Sequence, residues 1–351
     1  MSETTDLIHD MAEKLFGDMC DKNLLDEAEK GVWPKALWSA MEEAGLTRAL
    51  TDENAGGSGL SIGDAMVATR VAARHAAPAP IAETMLAEWL AASAGLSCPA
   101  GPLTVAPVLR TDKLSMAREG NGWRLKGVAH RTPYAANAAA IFVLVEAEGK
   151  NFVARVGTSM TRIAPGHNVA REPRETVSFD CALASDDVAP TEIDAARLRA
   201  FGAAMRTVQI AGALSRALDL SLQYVQERVQ FGKPISKFQA IQHNMAMLAA
   251  HSAAANAAAD IASEAAETDL DPIKIGVAKT RAGEAASVGA ALAHAAHGAI
   301  GFTHDHTLHF STKRLWSWRD EFGKESEWSA LVGRAGLNAG GAGVWRKIIA
   351  Q

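Results

Sequence analysis

The segment Arg228–Met245, RVQFGKPISKFQAIQHNM, concentrates the side chains of this chain that could do chemistry. Arg228 is a fixed cation, Phe231 an aromatic, and Gly232 sits where the chain turns. Arginine pairs bidentately with phosphate, and glycine lets backbone approach a ligand closely. The set is therefore equipped to hold an anionic cofactor. Plainer roles are also open. Arg228 could sit at a helix C-terminus, where a cation gains roughly 0.3–1 kcal/mol. Phe231 could be core. Ser236 with Gln239 fits a capping box that would launch a long helix. A later run, HGAIGFTHDHTL at 297–308, contributes Gly298 and Gly301, which also read as turn glycines. His304, His306 and His309 suggest a metal, but no cysteine or well-placed carboxylate completes a ligand set, so none is expected.

Three stretches of different character must position these residues. Residues 1–100 read as a helical domain. Trp33-Pro34 starts a helix whose Leu37, Trp38 and Met41 share a face and which ends at Gly45. AGGSG at 55–59 is a loop, and AAPAP at 76–80 separates two further helices. Residues 101–195 read as a small β-barrel-like domain. Trp123–Lys126 alternates with period two, Ile141–Glu146 is a compact apolar run, Glu148-Gly149-Lys150 turns, and Phe152–Val156 and Thr176–Asp180 follow as strands. No Gly-rich dinucleotide fingerprint follows a strand. Residues 196–351 read as a four-helix bundle, with Asp271-Pro272 as a helix start and Gly298 as a stop. The fold class is thus mainly α with a β middle domain.

Bulk properties narrow the field. A net charge of -5 without a basic arm argues against a nucleic-acid partner. Cys20, Cys98 and Cys181 have neither metal nor redox spacing and suit a reducing cytoplasm. The acidic start MSETTDLIHDM lacks the apolar core of a signal peptide. The longest Ala-rich stretch, Met245–Ala266, is interrupted by His251, Asn256 and Asp260, so no membrane span is expected.

The order helical, β, helical bundle resembles the flavin-dependent acyl-CoA dehydrogenases over essentially the whole chain. RVQFGKPISKFQAIQ at 228–242 is the strongest match and HGAIGFTHDHTL the second. GLTRALTDENAGGSG at 45–59 and TVSFDCALASDDVAP at 176–190 match more weakly. The resemblance implies FAD-dependent α,β-desaturation of an acyl-CoA thioester, a carboxylate base, and an electron-transfer flavoprotein as acceptor. It also implies an FAD shared across a subunit interface. Arg228, Phe231, Gly232 and Gln239, with Gly298 and Gly301, would cradle the adenosine and pyrophosphate of a cofactor seated mainly in the neighbour.

Departures from the family pattern matter equally. Of the two positions where the family places its base, one holds Phe322, next to Glu321, and the other holds Met205, before Arg206. Glu321 is the candidate catalytic base; its alternative is a solvated acidic pair with Asp320. The flavin-ring segments are altered in 101–116 and in 127–139, where Arg131 falls near the position of a family Trp. Cradle kept and base lost is the pattern of the small partner subunit of heteromeric bacterial acyl-CoA dehydrogenases, including those acting on steroid side chains. Two readings follow: an active homo-oligomeric flavoenzyme, or a non-catalytic subunit completing the FAD site of a related partner chain.

Overall fold

The computed structural model describes residues 3–349. The chain forms two compact units, one up to Gly202 and the other from Ala203. No helix among the described residues is long and apolar enough to cross a membrane.

The first unit opens with α1 (Glu3–Met19), α2 (Lys22–Glu29), α3 (Lys35–Glu43), α4 (Ile62–Arg74) and α5 (Ile81–Ser93). Helices this short depend on satisfied ends. Asp21 Oδ1 accepts from Leu24 N at 2.8 Å, and Ser61 Oγ accepts from Asp64 N at 3.1 Å. As expected from the sequence, α3 follows Pro34, buries Leu37, Trp38 and Met41, and gives way to Gly45 in the left-handed region (φ 73°).

Eight strands follow: β1 (Leu103–Val105), β2 (Lys113–Glu119), β3 (Gly122–Pro133), β4 (Ala140–Ala147), β5 (Lys150–Gly157), β6 (Thr161–Ala164), β7 (Arg174–Leu183) and β8 (Val188–Pro190). The barrel-like domain expected here takes the form of two open four-stranded sheets, ordered β1-β4-β5-β8 and β2-β3-β7-β6. One core unites them, with Trp123, Leu125, Val177 and Phe179 from one sheet and Ile141, Val143 and Phe152 from the other. Period two explains β3: Trp123 and Leu125 point inward while Lys126 is exposed. The unbroken run in β4 is buried on both faces from Ala140 to Val145. Glu148 (φ 51°) and Gly149 (φ 72°) close the β4–β5 hairpin as a two-residue turn with Ala147 opposite Lys150.

Helix α6 (Ala195–Glu227) starts in the first unit and continues through the second. There it is joined by the hairpin β9 (Val229–Gln230) and β10 (Lys233–Pro234), and by α7 (Gln239–Glu267), α8 (Pro272–His297), α9 (Leu308–Trp318) and α10 (Glu325–Ile349). Asp271 caps α8 through Ile273 N at 2.7 Å, and Gly298 ends it, both as expected. Within α10, Gly340 (φ 66°, ψ 170°) makes a kink between two helical segments.

The Gly-rich loop after α3 is pinned from beneath by a buried acid. Thr51 Oγ1 donates to Glu88 Oε1 at 2.5 Å and Leu50 N donates to Oε2 at 3.3 Å. Gly57 passes so close that a Cβ there would lie 2.1 Å from Thr51 O. Glu88 is 2% exposed. Burial pushes its carboxyl up to about 7, against the two hydrogen bonds that favour the charged form. A carboxyl raised on folding binds more protons folded than unfolded, so its contribution is present below about pH 4.5 and is lost as pH rises through 7. Glu88→Gln should therefore gain on the wild type by roughly 3 kcal/mol between pH 5 and pH 8. Denaturant midpoints at the two pH values check this, and identical pH slopes would exclude it.

Candidate functional site

Arg228 is the first residue past α6; its N donates to Tyr224 O at 2.9 Å. Val229 pairs with Pro234 and Gln230 with Lys233, leaving Phe231 (φ 51°) and Gly232 (φ 76°) as the two central residues of a tight hairpin. Two consecutive left-handed residues suit the twist of a two-residue turn, but Asn or Gly normally fills the place Phe231 takes. A phenylalanine there carries strain. It is not core: Phe231 is 91% exposed, which corrects that alternative. Its ring meets the edge of Phe238, 6.1 Å away, and Lys233 lies 4.5 Å over the Phe238 ring. Ile235 N donates to Arg228 O at 2.8 Å and closes the base of the arm.

The capping box expected from Ser236 and Gln239 does not form. Helix α7 begins at Gln239, after Phe238 as N-cap, with no side-chain cap. Gln239 is therefore the first helical residue rather than the third. Ser236 lies in a 3-10 turn (Ile235–Lys237), and its carbonyl accepts from Gln242 Nε2 at 3.0 Å. The helix start thus presents its backbone N–H groups beside the exposed Arg228 and Gln239. An exposed guanidinium, an uncapped helix N-terminus and a displayed aromatic ring suit a phosphate-bearing aromatic cofactor such as FAD, approaching from outside.

The second turn lies at the same end of the bundle. Tyr224, on the last turn of α6, stacks on His297, the last residue of α8, at 4.5 Å. Gly298 (φ 65°) follows in open space, where its left-handed backbone is its requirement. Gly301 is needed for a different reason: a Cβ there would lie 2.9 Å from His297 Cβ and 3.2 Å from His294 Nδ1. Phe302 stacks on His294 at 4.0 Å. The structure therefore brings the turn of Gly298 and Gly301 to the end of the bundle from which the arm of Arg228 projects.

Glu321 lies elsewhere. Arg206 is separated from the end of α6 by 21 residues, or roughly 30 Å at 1.5 Å per residue. Arg206, 1% exposed, donates from Nε to Glu321 Oε2 at 2.7 Å and from Nη1 to Gln209 Oε1 at 2.5 Å. The Glu321 side chain is only 11% exposed, so it is no solvated surface acid; Asp320 beside it is 54% exposed and fits that description. To take a proton, Glu321 would have to leave a buried guanidinium without its charge partner, at about 3–5 kcal/mol. Met205 is buried and offers no proton acceptor. Phe322 has φ 53°, its ring centroid lies 5.6 Å from the Arg206 guanidinium, and its carbonyl accepts from Trp328 Nε1 at 3.1 Å.

One residue of this loop escaped sequence reasoning. Lys279 on α8 is wholly buried, and its Nζ donates to Arg319 O at 2.5 Å and Gly323 O at 3.1 Å, bracketing Glu321 and Phe322. Burial lowers its ammonium to about 8, against Glu325, Glu321 and Asp320, which favour the charge. The signal was a cation on the same helix face as Ile275, Ala282 and Ala286. In the first unit, the altered flavin-ring segment carries a register shift between Ala129 and Thr132, and Arg131 (φ 55°) is exposed there. Glu175 Oε2 accepts from Ala135 N at 2.7 Å and holds the following turn.

The family pattern "Acyl-CoA dehydrogenase, N-terminal domain" matches residues 2–95, and "Acyl-CoA dehydrogenase, C-terminal domain" matches residues 194–318. Acyl-CoA dehydrogenase IpdE2 of Mycobacterium tuberculosis is 27% identical over 283 residues, covering 80% of each chain. The fold is also that of the ChsE4-ChsE5 complex from Mycobacterium tuberculosis (TM-score 0.88, 20% identity, 95% of this chain and 97% of that one). A Tcur3481-Tcur3483 steroid ACAD variant gives a TM-score of 0.87 at 24% identity, over 95% and 97% of the two chains.

Removing the Lys279 ammonium takes from two carbonyls, those of Arg319 and Gly323, a donor that is itself fully buried, each loss worth about 1–3 kcal/mol. Lys279→Met should lower stability by about 2–4 kcal/mol in chemical denaturation while the far-UV circular dichroism stays native. A loss below about 0.5 kcal/mol would mean that water reaches those carbonyls.

Proposed function

The chain belongs to the acyl-CoA dehydrogenase family, and on that premise we propose that it serves FAD-dependent α,β-desaturation of an acyl-CoA thioester as the subunit that completes an FAD site on a related chain. The observation that carries this is the division within the second unit. The cradle residues are displayed at one end, whereas the one carboxylate beside the expected base position is locked onto buried Arg206 roughly 30 Å along α6. ChsE4-ChsE5, whose fold this chain shares, is itself a complex of two differently named chains.

FAD, when bound, supplies the hydride acceptor of the reaction. This chain's part is to bind and orient. Arg228 would hold the pyrophosphate through its guanidinium, with the open start of α7 at Gln239 adding N–H donors. Phe231 would offer its ring to the adenosine, and Gly232 keeps the turn narrow. Gly298 and Gly301 shape the second wall. The partner contributes the base and the flavin-ring contacts that Met205, Phe322 and Arg131 do not provide. An electron-transfer flavoprotein as acceptor and a cytoplasmic setting, compatible with three free cysteines, go with this reading.

The purified chain alone should be colourless, and co-expression with its related dehydrogenase subunit should yield a flavin-loaded assembly. Arg228→Ala should strip flavin from that assembly by tenfold or more, a loss of about 1.4 kcal/mol or greater. A stoichiometric flavin spectrum from the isolated chain would overturn the proposal. Glu321→Gln should lower the stability of the chain by about 3–5 kcal/mol, because Arg206 loses its charge partner, yet leave turnover per bound flavin of the folded assembly unchanged; a collapse of turnover with flavin retained would return Glu321 to the role of base. Phe231→Asn should raise the stability of the free chain by about 1 kcal/mol, through relief of backbone strain, yet weaken flavin retention in the assembly. Thermal melts and flavin absorbance read the two effects separately.

A further inference from the structure

A buried imidazole underlies the Gly298–Phe302 turn. His294, on the last turn of α8, is 6% exposed. Phe302 stacks on one face at 4.0 Å and 17°, and Trp316 of α9 stacks on the ring at 5.5 Å and 14°. Its Nε2 lies 2.9 Å from Thr312 Oγ1, and that hydroxyl donates onward to Leu308 O at 3.4 Å. The hydroxyl proton is thus committed to the carbonyl, so Nε2 is the donor and Nδ1 carries the lone pair of a neutral ring. Nδ1 is buried and has no hydrogen-bond partner among the described residues. Before it lies Gly301, where a Cβ would come within 3.2 Å of this nitrogen. The turn then closes through Thr303, whose N and Oγ1 both donate to Ile300 O, at 3.1 and 2.9 Å.

We propose that His294 is an acid-sensitive latch: neutral, it holds the Gly298–Phe302 turn closed, and protonated, it drives the turn open. A proton on Nδ1 places a buried N–H against Gly301 with no acceptor to receive it, and a buried charge without a partner is among the costliest groups a fold can hold. The faces of Phe302 and Trp316 attract a cation, but they do not accept an N–H that points out of the ring edge. The ionisable groups acting on His294 are His297 of α8 and His309 of α9, and both oppose its charge. Beyond them, α6 brings Tyr224, stacked on His297, and Arg216, a further cation acting on His306. Burial, ahead of these neighbours, holds His294 below the usual histidine range. The folded state therefore favours the neutral ring. The turn is at full strength above pH 6.5, and a penalty grows as pH falls from there through the lower native value. The charged ring reaches water only by displacing a neighbour, and Phe302, 67% exposed, is the cover that gives way. Gly298, where a Cβ would meet nothing within 4 Å, leaves the turn room to swing. Opening would withdraw the Gly298–Gly301 wall from a bound cofactor; that consequence, unlike the latch, rests on the function proposed above.

Hydrogen exchange read by mass spectrometry on the full chain, free of flavin and partner, tests the latch. After correction for the intrinsic pH dependence of exchange, the amides of 299–303 should open at least ~tenfold more at pH 5 than at pH 7.5, the equivalent of one pKa unit on one histidine. Strand β4 should open alike at both. His294→Gln keeps a donor for Thr312 and takes no proton, and His294→Phe keeps an aromatic ring between Phe302 and Trp316. In whichever of the two retains native circular dichroism at pH 7.5, the turn should stay protected at both pH values. A wild-type turn that exchanges alike at pH 5 and pH 7.5 would overturn the latch, as would acid opening that persists undiminished in the folded variants.

Discussion

Close approach of the helices in the second unit is the constraint from which its other features follow. A Cβ at Gly289 of α8 would lie 2.4 Å from Leu214 Cδ1 of α6; at Gly283 it would lie 2.5 Å from Glu325 Oε1, and at Gly276 3.0 Å from Val332 Cγ2 of α10. The buried faces of α7 and α8 are built largely from alanine. Layers this thin exclude water from any long polar side chain that enters them. Each charge inside must then bring its own partners. Arg206 has Glu321 and Gln209, and Lys279 has two carbonyls. Those partners fix the Arg319–Lys324 loop. The loop's geometry is thus a product of helix spacing as much as of its own sequence.

Two phenylalanines carry backbone strain in the second unit. Phe231 and Phe322 share the left-handed backbone region, at φ 51° and 53°. Their surroundings are opposite. Phe322 is held from three sides, by Lys279 at the flanking carbonyls, by Trp328 at its own, and by the guanidinium near its ring. Phe231 is held only by the two-residue hairpin beneath it. In the first case, packing imposes the conformation on the residue. In the second, the conformation leaves the ring 91% exposed, with only an edge contact to Phe238 among the ring contacts of the described residues.

What was legible in the sequence was local. Alternation at Trp123 and Leu125, the run Ile141–Val145, the Glu148-Gly149 turn, the Asp271-Pro272 start and the Gly298 stop each follow from chemistry within a few residues, and the structure has them all. Ser236 and Gln239 had the right spacing for a capping box, but a 3-10 turn moved the helix start two residues on, and spacing alone cannot show that. Core was one of two roles open to Phe231 in the sequence; its exposure is a property of the turn. The Arg206–Glu321 pair joins residues 115 positions apart, and the Lys279 contacts span 40 and 44, so no window of sequence contains either. The losses at Met205 and Phe322 were visible as residue types. That Glu321 is also spoken for was not.

The arm after α6 is finished before it meets anything. Its strands are paired, its base is closed by the Ile235–Arg228 hydrogen bond, and its tip is already turned. A segment that must order on contact pays that entropy within the encounter and slows it. On the proposed function, a preformed arm would spare that cost, so docking would be a search for orientation, guided by the positive charges of Arg228, Lys233 and Lys237. Such an association is fast at low ionic strength and slows as salt screens those charges. On the proposed function, the rate at which this chain finds its partner would in that sense be written into a two-residue turn.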